Sequence, residues 1–259
     1  MDNPWPEYRC IAAERRDNIA LVTLRRPDAA NALSRATVEE LADALAVVSR
    51  KDAIRALVLW GGNGQVFCAG ADLKERRANP GKDWEIRRPL VKLWNDLALL
   101  SKPLVIAANG HAAGGGFELL MLGDAVVVSE AAEFWLPELA WGGTPGGWGT
   151  QLLPRLVGPV LARWIVLSGQ RLTAHELMQY GLATHCVAPE RVLECALEAA
   201  RLLAERPASA VACAKEALRH ALSTPLPAGV EVEDRLLQIA TSSPERQASL
   251  ERFAKGKRS

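Results

Sequence analysis

The sequence lacks the features that mark several specialised classes of protein. Its five cysteines include no CxxC pair, and its four histidines show no HxxxH or mixed Cys/His spacing, so neither a disulfide framework nor a metal site is predicted. No stretch approaches the roughly 20 apolar residues of a membrane span. The N-terminal residues have no basic start followed by an apolar run, which a secretory signal peptide requires. We therefore expect a cytoplasmic protein with free thiols and no membrane partner.

An excess of charge of one sign is also missing. Lys plus Arg number 31 and Asp plus Glu number 30, which gives a formal net charge of +1. A dedicated nucleic-acid binder usually shows a basic excess, and an acidic disordered chain shows the opposite, so neither class is expected. The 259 residues are 49% hydrophobic and 24% charged, which is an ordinary globular composition. A chain of this length buries roughly 70–75% of the surface that its unfolded form exposes, so it needs no covalent staple.

Phenylalanine and tyrosine are scarce, whereas tryptophan is abundant. The chain has 4 Phe, 2 Tyr and 8 Trp. Because Trp is large and usually well buried, we expect most of the tryptophans to lie in the core.

Short apolar runs alternate with helical patterns in the first two thirds of the chain. Strands are predicted at residues 11–14, 19–24, 56–60, 103–108 and 126–129. Helices are predicted after the N-cap Ser34, over 84–100, from about Phe117, after the capping box at 173–176, and over 189–205, 208–220, 230–241 and 244–255. This order predicts an α/β fold followed by a helical C-terminal region.

A glycine cluster between a predicted strand and a predicted helix is the most informative segment. It runs Gly114-Gly115-Gly116-Phe117-Glu118. Glycines allow a ligand to approach the backbone closely, and unpaired N–H groups at a helix start favour negative charge. The segment is not GxxxxGK[ST], so a nucleotide P-loop is not indicated. It is typical of an oxyanion or phosphate site, or of a close helix–strand crossing that binds nothing.

A second small-residue loop follows another predicted strand. It runs from Phe67 to Lys74 through Cys68-Ala69-Gly70-Ala71-Asp72-Leu73. Two such loops would each supply one backbone N–H group. Donors of that kind stabilise the charge that develops on an acyl or thioester oxygen.

Two carboxylates accompany these loops. Glu118 adjoins the glycine cluster, and Glu138 lies 20 residues later, just before the glycine-rich loop 142–147. Both have mainly apolar neighbours, and burial raises the pKa of a carboxyl towards the range useful for acid–base catalysis. The alternative is that each is an ordinary solvated surface glutamate.

Nucleophilic catalysis is only weakly indicated. No GxSxG motif occurs. Cys68 lies near the second loop without a neighbouring histidine, so a buried free thiol is predicted. For His111 we predict a satisfied polar group at a strand end.

Taken together, these motifs resemble the enoyl-CoA hydratase/isomerase family, also called the crotonase superfamily, over nearly the whole chain. The landmarks, in order, are Arg26-Pro27 with Asn31-Ala32-Leu33, Ala69 to Lys74, Lys102-Pro103 with Asn109-Gly110, Gly114 to Leu119, Pro137-Glu138, Pro145-Gly146-Gly147 with Gly149-Thr150-Gln151, and Gly181-Leu182. The resemblance implies a spiral of ββα turns with the active site over residues 1–190. It further implies a helical oligomerisation region over 191–259 that forms homotrimers, often paired into hexamers.

The resemblance also implies roles for individual residues. The oxyanion hole would be the N–H groups of Ala71 and Gly115, with Glu118 and Glu138 as acid–base groups and the Gly146 N–H holding water. The residues implied in binding coenzyme A are Ala29, Ala30, Ala32, Ala69, Ala71, Asp72, Leu73 and Lys74, with Lys74 near a phosphate. The basic tail formed by Lys255, Lys257 and Arg258 would assist, or would simply be solvated.

The activity implied is the reversible hydration of a trans-2-enoyl-CoA, as in the β-oxidation of fatty acids. Coenzyme A would arrive as part of the substrate, so no permanently bound cofactor is expected. Alternatives are an enoyl-CoA isomerase, another acyl-CoA enzyme of this fold in a specialised pathway, or a non-catalytic acyl-CoA-binding subunit. Phe117 and Trp141 are bulkier than is usual in the family. With Trp94, they are predicted to shape the acyl pocket.

Overall fold

The computed structural model describes residues 4–254 and residue 256. The predicted basic tail residues Lys255, Lys257 and Arg258 lie outside this part of the chain.

Strands and helices alternate over most of the described chain. The strands are β1 (Ile11–Arg16), β2 (Ile19–Leu24), β3 (Ala56–Trp60), β4 (Val66–Cys68), β5 (Leu104–Ala108), β6 (His111–Ala113), β7 (Ala125–Ser129), β8 (Glu133–Trp135), β9 (Leu172–Thr173) and β10 (His185–Val187). The helices are α1 (Arg35–Arg50), α2 (Leu73–Ala78), α3 (Asp83–Ala98), α4 (Gly115–Leu120), α5 (Gly149–Val157), α6 (Pro159–Ser168), α7 (Ala174–Gln179), α8 (Val192–Ala204), α9 (Ala208–Ala221), α10 (Leu226–Thr241) and α11 (Pro244–Ala254). None of the described helices has both the length and the apolarity to cross a lipid bilayer.

The larger sheet has six strands in the order β1-β2-β3-β5-β7-β10. Only the β1–β2 hairpin is antiparallel; the other neighbours are parallel, with Val58 opposite Val105 and Ile106 opposite Val126. Strands β5 and β7 are buried at every position, as expected for apolar runs covered on both faces.

A smaller sheet, in the order β4-β6-β8-β9, was not predicted from the sequence. Its strands have only two or three residues each, which is too short for an apolar alternation to be visible. Each of β4, β6 and β8 follows a strand of the larger sheet after a short turn, and a helix comes next along the chain. The two sheets therefore arise from three successive ββα units, the arrangement that the family resemblance implied.

Three helix starts differ from the prediction by two residues or more. Helix α8 begins at Val192 rather than Pro189, because residues Pro189–Arg191 form a 3₁₀ helix. Helix α4 begins at Gly115 rather than Phe117, which brings the glycines into its first turn. Helix α10 begins at Leu226 rather than Val230, because Pro227 occupies the first turn, where a missing N–H costs nothing. The predicted N-cap Ser34 and the capping box of Thr173 with Glu176 are confirmed.

Helix α8 covers the outer face of the larger sheet. Its buried residues Val192, Ala196 and Ala200 belong to one apolar cluster with strand residues such as Val58 and Val105. The first helix after residue 190 thus completes the core of the α/β part. The domain boundary predicted at 190/191 stays a prediction.

The prediction that most tryptophans are core residues is wrong for several of them. Trp5 and Trp94 are buried, at 5% and 0% exposure. Trp84, Trp141 and Trp164 are exposed, at 68%, 71% and 59%. The other tryptophans, which are half-buried, are Trp60, Trp135 and Trp148.

Candidate active site

The loop after β4 presents the Ala71 N–H group away from its neighbours. The Leu33 N–H donates to the Gly70 carbonyl at 2.7 Å, and the Asp72 N–H donates to the Leu33 carbonyl at 3.4 Å. In this parallel pairing the hydrogen bonds pass through the residues flanking Ala71, so its own N–H points to the other side. It has no acceptor among the described residues.

Gly115 brings a second free N–H group to the same place. As the first residue of α4, it has no intrahelical acceptor. A Cβ atom on Gly70 would lie 2.9 Å from the Gly115 nitrogen, and one on Gly115 would lie 4.0 Å from the Ala71 nitrogen. The structure therefore brings the two predicted oxyanion-hole residues together, with glycine at the points of closest approach.

Glu118 lies one turn into α4 and is only 2% exposed. Its carboxylate accepts the Gly147 N–H, at 2.8 Å to each oxygen, and the Gly149 N–H at 2.8 Å. Burial raises the pKa of Glu118 to about 7, although the two N–H donors and the charge of Arg87 act in the opposite direction. The alternative of a solvated surface glutamate is therefore wrong for Glu118, whose carboxyl is suited to proton transfer near neutral pH.

Glu138 begins a short 3₁₀ helix, Glu138–Trp141, that follows β8. A Cβ atom on Gly114 would lie 2.8 Å from Glu138 Oε1, so this carboxylate lies against the residue that precedes Gly115. Its Oε2 is buried and has no hydrogen-bond partner within residues 4–254. Burial raises the pKa of Glu138, while its own backbone N–H and the charge of Arg76 lower it.

The loop after Glu138 supplies contacts that the sequence did not specify. Gly147 and Gly149 donate to Glu118, whereas the recorded contact of Gly146 is through its carbonyl, which accepts from Arg87 Nη2 at 2.6 Å. A Cβ atom on Gly147 would lie 2.5 Å from Glu118 Oε2. The density of glycines in this loop was the signal available in the sequence. It could not identify the donors, because every residue except proline has the same backbone N–H group. The water-holding role of the Gly146 N–H stays a prediction.

The three predicted pocket residues lie in different surroundings. Trp94 is fully buried, and its Nε1 would lie 2.6 Å from a Cβ atom on Gly147, so it adjoins Glu118. Its N–H has no partner among the described residues. Phe117 is buried against Phe134, with ring centroids 6.0 Å apart, and Trp141 faces outward. The structure therefore brings only Trp94 to a carboxylate, and the pocket roles stay predictions.

The two loops predicted to bind coenzyme A lie side by side. The Ala69 N–H donates to the Ala30 carbonyl at 3.0 Å. The Asp72 carboxylate is engaged internally, by Arg26 at 3.1 Å and by the Lys74 N–H at 3.1 Å, whereas the Lys74 side chain is exposed. These two adjacent loops contain all the residues predicted for this role: Ala29, Ala30, Ala32, Ala69, Ala71, Asp72, Leu73 and Lys74.

The two side chains considered as alternatives are occupied elsewhere. Cys68 is buried and donates through Sγ to the Asn31 carbonyl at 3.3 Å, and burial raises the pKa of its thiol to about 12. His111 accepts the Glu133 N–H through Nδ1 at 3.0 Å, at the start of β6. Both predictions, a buried thiol and a satisfied histidine at a strand end, are confirmed.

Two arginines near the carboxylates were missed. Arg76 of α2 lies close enough to Glu138, and Arg87 of α3 close enough to Glu118, to lower the pKa of each carboxyl. Arg76 Nε is buried and finds no hydrogen-bond partner in the part of the chain that the structure describes. The sequence signal was a pair of adjacent arginines in each helix, at 76–77 and 87–88, which gives no indication of where the side chains converge.

Comparisons with known proteins identify the same family along nearly the whole chain. A family model described as "Enoyl-CoA hydratase/isomerase" matches residues 14–259. The 2,3-dehydroadipyl-CoA hydratase of Escherichia coli is 37% identical over 243 residues, covering 94% of each chain. The mitochondrial enoyl-CoA hydratase of Pongo abelii is 35% identical over 249 residues, which is 95% of this chain and 85% of the relative.

Solved structures give the same result. An enoyl-CoA hydratase subunit from Geobacillus kaustophilus superposes with a TM-score of 0.91 at 35% identity, covering 98% of each chain. The enoyl-CoA hydratase of Bacillus anthracis gives 0.93 at 31% identity, covering 96% of this chain and 97% of the other. These similarities confirm the predicted crotonase-type α/β fold. The chain belongs to the enoyl-CoA hydratase/isomerase family.

Proposed function

We propose that the protein catalyses the reversible addition of water across the 2,3 double bond of a trans-2-enoyl-CoA. The observation that carries the proposal is the convergence of two free backbone N–H groups with two carboxylates of raised pKa. The names of the relatives, which include enoyl-CoA hydratases and a 2,3-dehydroadipyl-CoA hydratase, support hydration without selecting one acyl group.

The oxyanion hole stabilises the enolate intermediate. The thioester oxygen accepts hydrogen bonds from the N–H groups of Ala71 and Gly115 as negative charge develops on it. Loss of one such donor typically costs roughly 3–4 kcal/mol of transition-state stabilisation. The coenzyme A portion lies against the loops 29–32 and 69–74, with Lys74 near a phosphate. Since it arrives with the substrate, no permanently bound cofactor is needed.

The carboxylates move the protons. Ionised Glu118, with the Gly146 N–H, orients a water molecule and takes one of its protons as the water oxygen bonds to C3. The electrons of the double bond move to the thioester oxygen and form the enolate. Protonated Glu138 then donates its proton to C2, the thioester carbonyl is restored, and proton exchange with bulk water resets both carboxyls.

Separate Glu118→Gln and Glu138→Gln variants test this assignment. Each should lower kcat/KM for trans-2-hexenoyl-CoA by about 10²- to 10⁴-fold, because amides neither accept nor deliver the required proton. Formation of 3-hydroxyacyl-CoA is followed by chromatography with mass detection. The exposed Glu130 provides a matched control, and Glu130→Gln should leave the rate unchanged.

Near wild-type hydration by both glutamate variants would contradict the proposal. Conversion of a 3-enoyl-CoA to a 2-enoyl-CoA without hydroxyacyl product would indicate an isomerase. Binding without any turnover would indicate a non-catalytic subunit.

We also propose that the protein forms a homotrimer or a dimer of trimers. Large apolar side chains are exposed on the C-terminal helices and would be covered by other subunits: Leu218, Leu222, Leu226, Val230, Leu237 and Ile239. A cytoplasmic location and a role in β-oxidation remain predictions from the sequence.

A further inference from the structure

Two positively charged side chains approach the proposed reaction site from consecutive helices. Arg87 Nη2 donates to the Gly146 carbonyl at 2.6 Å, in the loop that holds Glu118. Arg76 lies near Glu138, and its buried Nε has no hydrogen-bond partner in the described part of the chain. Neither arginine takes part in a salt bridge among the described residues, whereas Arg26 is paired with Asp72.

An unpaired guanidinium nitrogen out of contact with water is costly, and an anionic ligand would satisfy it. Three of the buried polar side-chain atoms that lack partners lie at this site: Arg76 Nε, Trp94 Nε1 and Glu138 Oε2. In the proposed reaction, Glu138 Oε2 and Trp94 Nε1 adjoin the reacting carbons. Arg76 Nε is therefore the unpaired atom that is available to bind another part of the substrate.

The course of the acyl chain follows from the reacting atoms. In the proposed reaction the thioester oxygen would lie at Ala71 and Gly115, C2 and C3 would lie between the two glutamates, and the rest of the acyl chain would extend beyond them. Arg76 is about one helical turn beyond the start of α2, which begins two residues after Ala71, and Arg87 donates to the Gly146 carbonyl in the loop that holds Glu118. The far end of a short acyl chain would therefore meet positive charge.

We propose that Arg76, with Arg87 adding positive charge, recognises an anionic group at the far end of the acyl chain, so that the preferred substrate is a 2-enoyl-CoA ending in a carboxylate. This inference rests on the proposed hydratase function. A guanidinium group can hold a carboxylate through two parallel N–H donors, whereas a methyl terminus would leave the buried Nε unsatisfied.

A matched pair of six-carbon thioesters tests the inference. One is trans-2-hexenoyl-CoA, and the other is the same chain with a carboxylate in place of the terminal methyl group. The wild-type enzyme should show a kcat/KM about tenfold or more higher for the carboxylated thioester. In Arg76→Met the ratio of the two kcat/KM values should fall about 10- to 100-fold, and Arg76→Lys should restore part of it.

The neighbouring Arg77 is exposed and provides the control. Arg77→Met should leave the ratio unchanged. A wild-type preference for the neutral thioester would overturn the inference while the hydratase function stands. An equal loss for both thioesters in Arg76→Met would also overturn it, because the arginine would then contact the coenzyme A portion or act structurally.

Binding of the saturated analogues separates this inference from the proposed function. Calorimetric titration with hexanoyl-CoA and adipyl-CoA needs no turnover. A preference for adipyl-CoA that depends on Arg76 would support anion recognition even if neither enoyl thioester were hydrated, a result that would refute only the hydratase function. Equal affinities for both analogues in wild type and in Arg76→Met would overturn the inference.

Discussion

Glu118 and Glu138 each follow a short strand of the smaller sheet, yet their surroundings differ. Glu118 lies inside a helix, is 2% exposed and is fixed by the N–H groups of Gly147 and Gly149. Glu138 begins a 3₁₀ helix whose last residue, Trp141, is 71% exposed. One carboxylate is enclosed by its own chain, and the other lies where the chain opens outward.

This difference suggests a division of labour. Several backbone hydrogen bonds of equal length hold the Glu118 carboxylate in one orientation. A fixed orientation suits a group that must position a small molecule such as water. A carboxylate with a free oxygen suits a group that must meet a carbon atom of the substrate. The enclosed side also contains Trp94, and the open side contains Arg76.

The largest expected effect is on the pH dependence of the free energy of unfolding, in which the two glutamates should differ. Between the ordinary carboxyl pKa of 4.5 and the folded-state pKa of about 7, folded Glu118 keeps a proton that the unfolded chain has lost. Stability therefore falls as the pH rises through this window, by about 3 kcal/mol for this group. Relative to wild type, the free energy of unfolding of Glu118→Gln should rise by that amount between pH 4.5 and 7.

Urea titrations at several pH values measure this difference, because other groups cancel between the two proteins. Glu138→Gln should change in the same direction but by less, since Glu138 is less enclosed. A relative stability of Glu118→Gln that stayed flat across the window would show that burial does not raise this pKa.

A second prediction concerns a substitution that would disturb the loop around the Glu118 carboxylate. A methyl group on Gly147 would lie 2.5 Å from Glu118 Oε2 and 2.6 Å from Trp94 Nε1. Gly147→Ala should displace the carboxylate and lower kcat/KM by about 100-fold, as misplacement of a catalytic group by about 1 Å does. Gly64→Ala is the control, because nothing lies within 4 Å of the added methyl group. Equal activity in both variants would mean that the loop holding Glu118 shifts freely.

The sequence predicted the parts of the fold that depend on long patterns. Strands β3 and β5 are apolar runs of five residues, and β7 has four apolar residues before Ser129. The smaller sheet was missed because a strand of three residues carries no periodicity. Its short strands are nevertheless what precede the candidate site residues, because the Ala71 loop, α4 and the 3₁₀ helix of Glu138 follow β4, β6 and β8.

The sequence could predict those residues of the candidate site whose proposed role needs a particular side chain. Glu118 and Glu138 could be identified in this way. The donors to Glu118 come from the backbone of Gly147 and Gly149, where any residue has the same N–H group and only crowding requires glycine. Arg76 was missed because its significance depends on what it approaches across the chain, which adjacent arginines in the sequence do not reveal.

The smallest expected effects compare a tryptophan on each side. Trp94→Phe removes a buried N–H group beside Glu118 and some ring volume, so it should cost about 1 kcal/mol of stability and shift the preference among acyl groups. Trp141→Ala truncates an exposed ring and should change the stability of the monomeric chain by less than about 0.5 kcal/mol. Thermal unfolding and a series of enoyl-CoA thioesters of increasing length measure both properties.

The same two variants, Trp94→Phe and Trp141→Ala, distinguish a substrate-binding role of the tryptophans from a purely structural one. If Trp141→Ala alters acyl preference while stability stays constant, the exposed ring is a substrate contact on the Glu138 side. If Trp94→Phe lowers stability and neither variant changes acyl preference, both tryptophans are structural, and the acyl pocket is formed by other residues. A change confined to Trp94→Phe would place the pocket wall on the enclosed side, because of these two rings only that of Trp94 adjoins the Glu118 carboxylate.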